Sequence, residues 1–245
     1  MMTYQDTNEF RIVLSLDGSE VKQKIIDTDN ASELAPNFAF PTRLIRFKPT
    51  TPVNLFVDMD GTLAHFRQNG EKYVDFNGDV RYFHLDDIYE AGYYHPNCLP
   101  PEINVLRAVQ SLTNGISPYT VYVLSAVEPR SASAYIDKNL WLDRYLPEVK
   151  AEHRIFMPCG AKKADYINLA NGELNVLLDD YTRNLQEWTV GKVNNIGIKI
   201  LNGINDTHKS WQGDRVPGNI DSLELAKMLV QIANREIEAR HIILR

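Results

Sequence analysis

Residues 53–66 read VNLFVDMDGTLAHF. The first part, residues 53–57, is a short and mostly apolar run, as expected of a strand buried on both faces of a parallel sheet. It ends in Asp58-Met59-Asp60-Gly61-Thr62, where two carboxylates flank a methionine and a glycine lets the backbone turn sharply off the strand. By itself this stretch reads equally well as a surface turn, because Asp and Gly favour turns. The rest of the chain decides between the two. Residues 103–112 carry helical spacing of apolar side chains, and residues 120–124 (TVYVL) form a second buried strand. Residues 131–146 read as a helix closed by Pro147. Further strands follow at 153–157 (HRIFM), 175–178 (NVLL) and 196–201 (IGIKIL), with a long amphipathic helix over 222–239. Strands alternating with helices predict an α/β fold: a three-layer, open, Rossmann-like parallel sheet with helices on both faces.

Two segments depart from the alternation. Residues 1–50 read as an N-terminal extension: a strand over 10–16, a turn at Asp17-Gly18, a return strand over 21–26, then a polar, proline-bearing loop over 30–41. No chemistry is visible there. Residues 66–95 read as a small insertion over the sheet edge, with a hairpin of 73–76 and 79–83 turning at Asn77-Gly78 in type I′ geometry. The main unit then spans 51–245, and no internal repeat is evident.

Composition sets the outer bounds. With 245 residues, 44% hydrophobic and 24% charged, the chain has ordinary globular usage. It needs no disulfide or metal to hold a core. A net charge of −6 argues against duplex DNA or RNA as partner, since sequence-independent affinity for nucleic acid comes from clustered Lys and Arg. Cys98 and Cys159 read as free thiols of an intracellular protein. The polar N-terminus lacks the pattern of a signal peptide, and no apolar stretch is long enough to span a bilayer, so the expected location is the cytoplasm.

Ligands of open α/β sheets bind beyond the carboxyl ends of the strands, and the expected strands end in functional side chains. The first ends in Asp58 and Asp60, the second in Ser125, and the fourth in Asp179-Asp180, while Lys163 follows the third. The set VNLFVDMDGTLAHF, VYVLSA, GAKKADY and NVLLDD, in this order over residues 53–211, resembles the haloacid dehalogenase superfamily of aspartate-nucleophile phosphatases. The resemblance implies Asp58 as nucleophile, forming an aspartyl-phosphate that splits one hard displacement into two easier ones. Asp60 suits general acid and then general base. Ser125 and the backbone at Ala126 would bind phosphoryl oxygens, and Lys163 would balance charge. Lys163 is preferred to Lys162 because the family's lysine opens the helix that Ala164 would begin. Asp58, Asp60, Asp179 and Asp180 supply hard oxygen ligands for magnesium (Mg2+).

Within the superfamily, VDMDG followed by Phe66, the Gly92-Tyr93-Tyr94 segment, and Asp179-Asp180 followed by Asn184 and Trp188 are similar to the 5′(3′)-deoxyribonucleotidases. That likeness implies a small phosphorylated substrate, a nucleoside monophosphate, with Phe66 a candidate for stacking on the base. Packing between insertion and core accounts for Phe66 equally well. The insertion is shorter than the family's helical cap, which leaves a sugar phosphate or a nucleic-acid end as alternative substrates. The remaining alternative is a non-catalytic binding module on the same scaffold. A histidine at 208, in the loop after the fifth strand, reads as a surface residue.

Overall fold

The computed structural model describes residues 9–14, 20–23, 43–46, 52–113, 119–167, 173–204, 210–236 and 239. Three strands, β1 (Glu9–Leu14), β2 (Glu20–Gln23) and β3 (Arg43–Arg46), form an antiparallel sheet in the order β2-β1-β3. β1 and β2 pair antiparallel, with both strands ending earlier than the expected 10–16 and 21–26. The Asp17-Gly18 turn, the 30–41 loop and His208 lie outside the described residues, and β3 carried too short an apolar signal to be read.

The main unit runs β4 (Val53–Val57), β5 (Lys72–Val74), β6 (Val80–Tyr82), α1 (Ile103–Thr113), β7 (Tyr119–Val127), α2 (Ala134–Tyr145) and β8 (Arg154–Pro158). It continues through β9 (Leu174–Asp179), α3 (Thr182–Thr189), β10 (Asn195–Leu201), β11 (Asp214–Pro217) and α4 (Ser222–Ala233). Six strands form one parallel sheet in the order β11-β10-β9-β4-β7-β8. From central β4 the chain first builds outward through β7 and β8, then returns to the other side of β4 for β9, β10 and β11. Such a reversal opens a crevice at the carboxyl ends of the strands on either side of it.

Alternation along β4 splits the core. Val53, Leu55 and Val57 join α1, α4 and Trp141 of α2 on one face, while Phe56 joins Leu177, Leu185, Trp188 and Trp211 on the other. All of β4 is buried, which is why its sequence is apolar without a period. Asp221 caps α4, its carboxylate accepting from the N–H groups of Leu223 and Glu224, both at 3.1 Å.

Several expected boundaries shift. The second strand does not stop at Leu124: it pairs with β8 as far as Val127, so Ser125 lies inside β7. The second helix starts at Ala134 rather than 131. The last helix stops at Ala233, where Arg235 takes a positive φ of 58°, although Ala239 beyond it is still buried. β11 was not expected, because its Asp-Arg-Val-Pro run has little apolar signal; its proline is tolerated at the sheet edge.

Between β4 and α1 the hairpin is present, but its turn is longer than a two-residue I′ connection. β5 ends at Val74 and β6 resumes at Val80. The Asp75 side chain shapes this turn: its Oδ1 accepts from the N–H groups of Asn77 and Asp79, both at 2.9 Å, while its own N–H still donates to the Asp79 carbonyl at 2.9 Å. The hairpin's inner face is anchored by Tyr73, whose hydroxyl donates to Asp87 at 2.9 Å. Arg67 is buried beneath it, its guanidinium 4.4 Å from the Tyr73 ring centre and donating to the Cys98 carbonyl. Gly92 has φ 84°, and a Cβ there would collide with Phe76.

His65 ties this segment to the core. Its Nδ1 lies 2.7 Å from Glu102 at the start of α1, and its Nε2 lies 3.0 Å from Glu71 at the hairpin's base. The hydrogen bond to Glu102, aided by the charges of Glu71 and Glu102 and opposed by burial, raises the imidazole pKa above its ordinary value. With the folded value raised, the stabilisation is complete below about pH 6.5, the unfolded value, and is lost as pH rises through the folded one. The gap in unfolding free energy between wild type and His65→Gln, measured by urea melts, should therefore be widest near pH 6 and narrow as pH increases. A gap independent of pH would show that the imidazolium does not link the two carboxylates.

Candidate active site

The parallel ladder continues one residue beyond β4, where the Asp58 N–H donates to the Leu178 carbonyl at 2.9 Å. This fixes Asp58 against β9. The chain then folds back on itself, with the N–H groups of Leu63 and Ala64 donating to the Met59 carbonyl at 3.0 and 2.8 Å. Gly61 makes the reversal at φ 76°, and a Cβ at this position would run into the Asp180 carboxylate. The glycine is thus required twice, by its backbone angle and by the approach of Asp180.

Asp58, Asp179 and Asp180 are buried and offer carboxylate oxygens that all lie within 4.8 Å of one another. Lys163 enters from the turn after β8. Its ammonium stands 2.7 Å from Asp58 Oδ1 and 2.7 Å from Asp179 Oδ2. Lys162 is exposed, whereas Lys163 is buried and opens a single 3-10 turn over Lys163–Asp165 in place of the expected helix. Burial alone would lower the Lys163 pKa, but the charges of Asp179 and Asp58 outweigh it and hold the value above that of an ordinary lysine. Burial pushes Asp179 up to about 6, against the opposing pull of Lys163. Asp179 is further fixed by the Tyr181 N–H at 2.8 Å and by Asn184 Nδ2 at 2.9 Å. Three buried hard-oxygen donors with one ammonium among them suit a divalent cation.

Asp60 stands apart from this triad. Its Oδ2 accepts from Lys138 Nζ at 2.5 Å, and the same ammonium donates to Ser125 Oγ at 3.1 Å and to the Ala126 carbonyl at 2.6 Å. Asp60 Oδ1 is buried without a hydrogen-bond partner among the described residues. Burial raises the Asp60 pKa, tempered by Lys138 and reinforced by Asp58. The expectation of four side-chain carboxylates around one cation therefore becomes three, with the fourth held by a lysine. Ser125 and Ala126 likewise serve as acceptors for Lys138.

A cavity of about 150 Å³ opens over these groups. Asp58, Asp60, Ala126 and Lys163 border its floor, and Cys159, Tyr181 and Arg183 are among the residues at its rim. Phe66 does not border it. Its half-buried ring meets Phe83 edge-on, with centroids 6.3 Å apart, in the contact that packing of the insertion predicts. Both cysteines are free, Cys98 buried and Cys159 exposed. Among the described residues no helix is long and apolar enough to cross a membrane. No protein-family model matches the chain, and no curated protein matches it in sequence.

Two site residues were not read from the sequence. Lys138 sits within α2, fully buried, its ammonium 4.6 Å from the Tyr94 ring centre. A lysine inside a helix ordinarily faces water; the available signal was its helical spacing from Ala134, Trp141 and Leu142, the apolar residues that share its buried face. Asn202 directly follows β10, and its Nδ2 donates to the Gly61 carbonyl at 2.8 Å and to Asp180 Oδ2 at 3.0 Å. A polar residue at the carboxyl end of a fifth buried strand was the signal there.

The paired charges make two outcomes expected. Magnesium should raise the melting temperature, because a cation bound only by the folded triad stabilises by mass action; Asp180→Asn should reduce that increment, and an equal increment in both would remove the triad as the metal site. Lys138→Met should cost about 1–3 kcal/mol in denaturant melts, since it leaves the partly buried Asp60 carboxylate without its partner. Adding Asp60→Asn should recover part of that loss, and a double variant as unstable as the sum of the singles would show that the two side chains are not coupled.

Proposed function

We propose that this chain is a magnesium-dependent phosphomonoester hydrolase of the haloacid dehalogenase type, acting on nucleoside monophosphates through an aspartyl-phosphate. The observation that carries the reading is the division of labour at the end of β4. Asp58 joins the acidic triad and pairs with Lys163, while Asp60, two residues on, is drawn out of the triad by Lys138. Two carboxylates in unlike settings suit a nucleophile and a proton carrier. The hairpin segment between β4 and α1 would serve as a small cap beside the crevice.

In this scheme an Asp58 oxygen attacks phosphorus as the ester P–O bond breaks, and Asp60 gives its proton to the departing alkoxide. Burial favours the protonated form of Asp60 that this step needs. Asp60 then takes a proton from water as the water oxygen attacks the phosphoryl group, and the bond between phosphorus and Asp58 breaks to release phosphate. Lys163 balances charge on Asp58 and on the phosphoryl oxygens throughout. Held by Asp58, Asp179 and Asp180, magnesium would supply further positive charge beside those oxygens.

Phosphate release should require magnesium, cease in chelator and vanish in Asp58→Asn. Asp60→Asn should lose about 10²–10⁴-fold on a nucleotide, whose alkoxide leaves poorly without a proton. Phosphorylation by a nitrophenyl ester should suffer less, because that leaving group hardly needs protonation. Water activation also fails in this variant, so phosphate should accumulate on the peptide holding Asp58 after acid quench. Full turnover in chelator, or phosphate on a different residue, would overturn the assignment.

A further inference from the structure

The catalytic cavity has a rim that the phosphoryl chemistry does not use. It is built by the start of α3, where Tyr181, Arg183 and, a turn further on, Glu187 border the cavity together with Cys159, Gly160 and Ala161. Tyr181 is the one aromatic residue on that border among the described residues. The residue is 53% exposed, and its ring stacks on no other ring among the described residues. Its backbone is not free to drift: the N–H donates to Asp179 Oδ1 at 2.8 Å, and the next turn begins α3 at once. An exposed aromatic side chain is thus carried on a held backbone directly after the Asp179-Asp180 pair. Beside it Arg183 pairs with Glu187 at 2.8 Å, and its side chain stays 63% exposed at the cavity border. Phe66, the aromatic residue that the sequence offered for a base, is engaged edge-on with Phe83 away from this border.

We infer that Tyr181 is the specificity-determining platform of the site: the planar base of a nucleoside monophosphate stacks on its ring while the phosphoryl group reaches Asp58, and Arg183 lies along the approach. Every base has a π-face, so such a platform selects esters whose alcohol carries a base over purely aliphatic ones and discriminates weakly among bases. An exposed arginine on the approach adds attraction for the dianionic ester and does not depend on base identity. This inference rests on the phosphomonoesterase reading.

The test compares kcat/KM for a pyrimidine nucleoside monophosphate with kcat/KM for glycerol phosphate. In Tyr181→Ala the ratio of the two should fall about 5- to 150-fold, the span of base–aromatic stacking, and mainly through KM for the nucleotide. Tyr181→Phe keeps the ring and should keep the ratio. A ratio unchanged in Tyr181→Ala, or lost equally in Tyr181→Phe, would overturn the platform. Should wild type hydrolyse neither ester with magnesium, the phosphatase reading fails on its own, and calorimetric titration of the nucleotide decides the platform. Weaker binding to Tyr181→Ala than to wild type would sustain it; equal affinity, or no binding by wild type, would overturn it.

Discussion

Lys163 is the residue on which the crevice depends. A parallel sheet points every strand end the same way: β9 ends in Asp179, and Asp58 directly follows the last residue of adjacent β4. Two carboxylates at about 4 Å repel by about 4 kcal/mol at an effective dielectric of 20, and burial adds the cost of dehydrating each. The Lys163 ammonium, 2.7 Å from both Asp58 and Asp179, is what allows the two strands to keep their register up to these residues. Such a buried cluster contributes little net stability, because desolvation offsets most of the attraction. The apolar layers on either side of β4 carry the fold, and the charged end is held by them.

Much of this was legible because the signals were local. Residues 53–57, 120–124, 175–178 and 196–201 are apolar without period, and a doubly covered parallel strand requires such runs. Once the strands were placed, Asp58, Asp179, Asp180 and Lys163 fell at their ends, and the structure brings those four together. The hairpin between β4 and α1 was likewise readable from Asn77-Gly78 and its flanking residues. What local signals could not supply was the competition for hydrogen bonds. The Asp75 carboxylate takes two N–H groups and shapes the turn, and β8 keeps β7 extended past Ser125.

The partners of Asp60 were illegible for a different reason. Lys138 lies 78 residues from Asp60 along the chain and Asn202 lies 141 from Gly61, so neither pairing has a sequence period. Both follow from topology. α2 packs its Trp141 and Leu142 into the face that holds Val123, and one turn before Trp141 this leaves Lys138 against Ser125. β10 stands beside β9 with Lys199 opposite Asp179, which brings the Asn202 side chain within reach of Asp180 and the Gly61 turn. Asn202 thereby joins the first-strand loop to the acidic pair, through the same carboxylate that leaves no room for a side chain at position 61.

These connections explain how a five-residue strand can present two aspartates for unlike work. Asp58 continues the ladder of β4, so its side chain is directed by the sheet toward Lys163 and the β9 carboxylates. Asp60 lies past the ladder, in the reversal that Gly61 permits, and its direction is set by α2 through Lys138. One lysine comes from the turn after β8 and the other from the helix before β8, on either side of one strand. Removing the helix lysine would let Asp60 relax toward the triad or leave it as an isolated, partly buried charge. Either result erases the difference between the two carboxylates, and that difference, more than the presence of four aspartates, is what acid–base chemistry at this crevice would require.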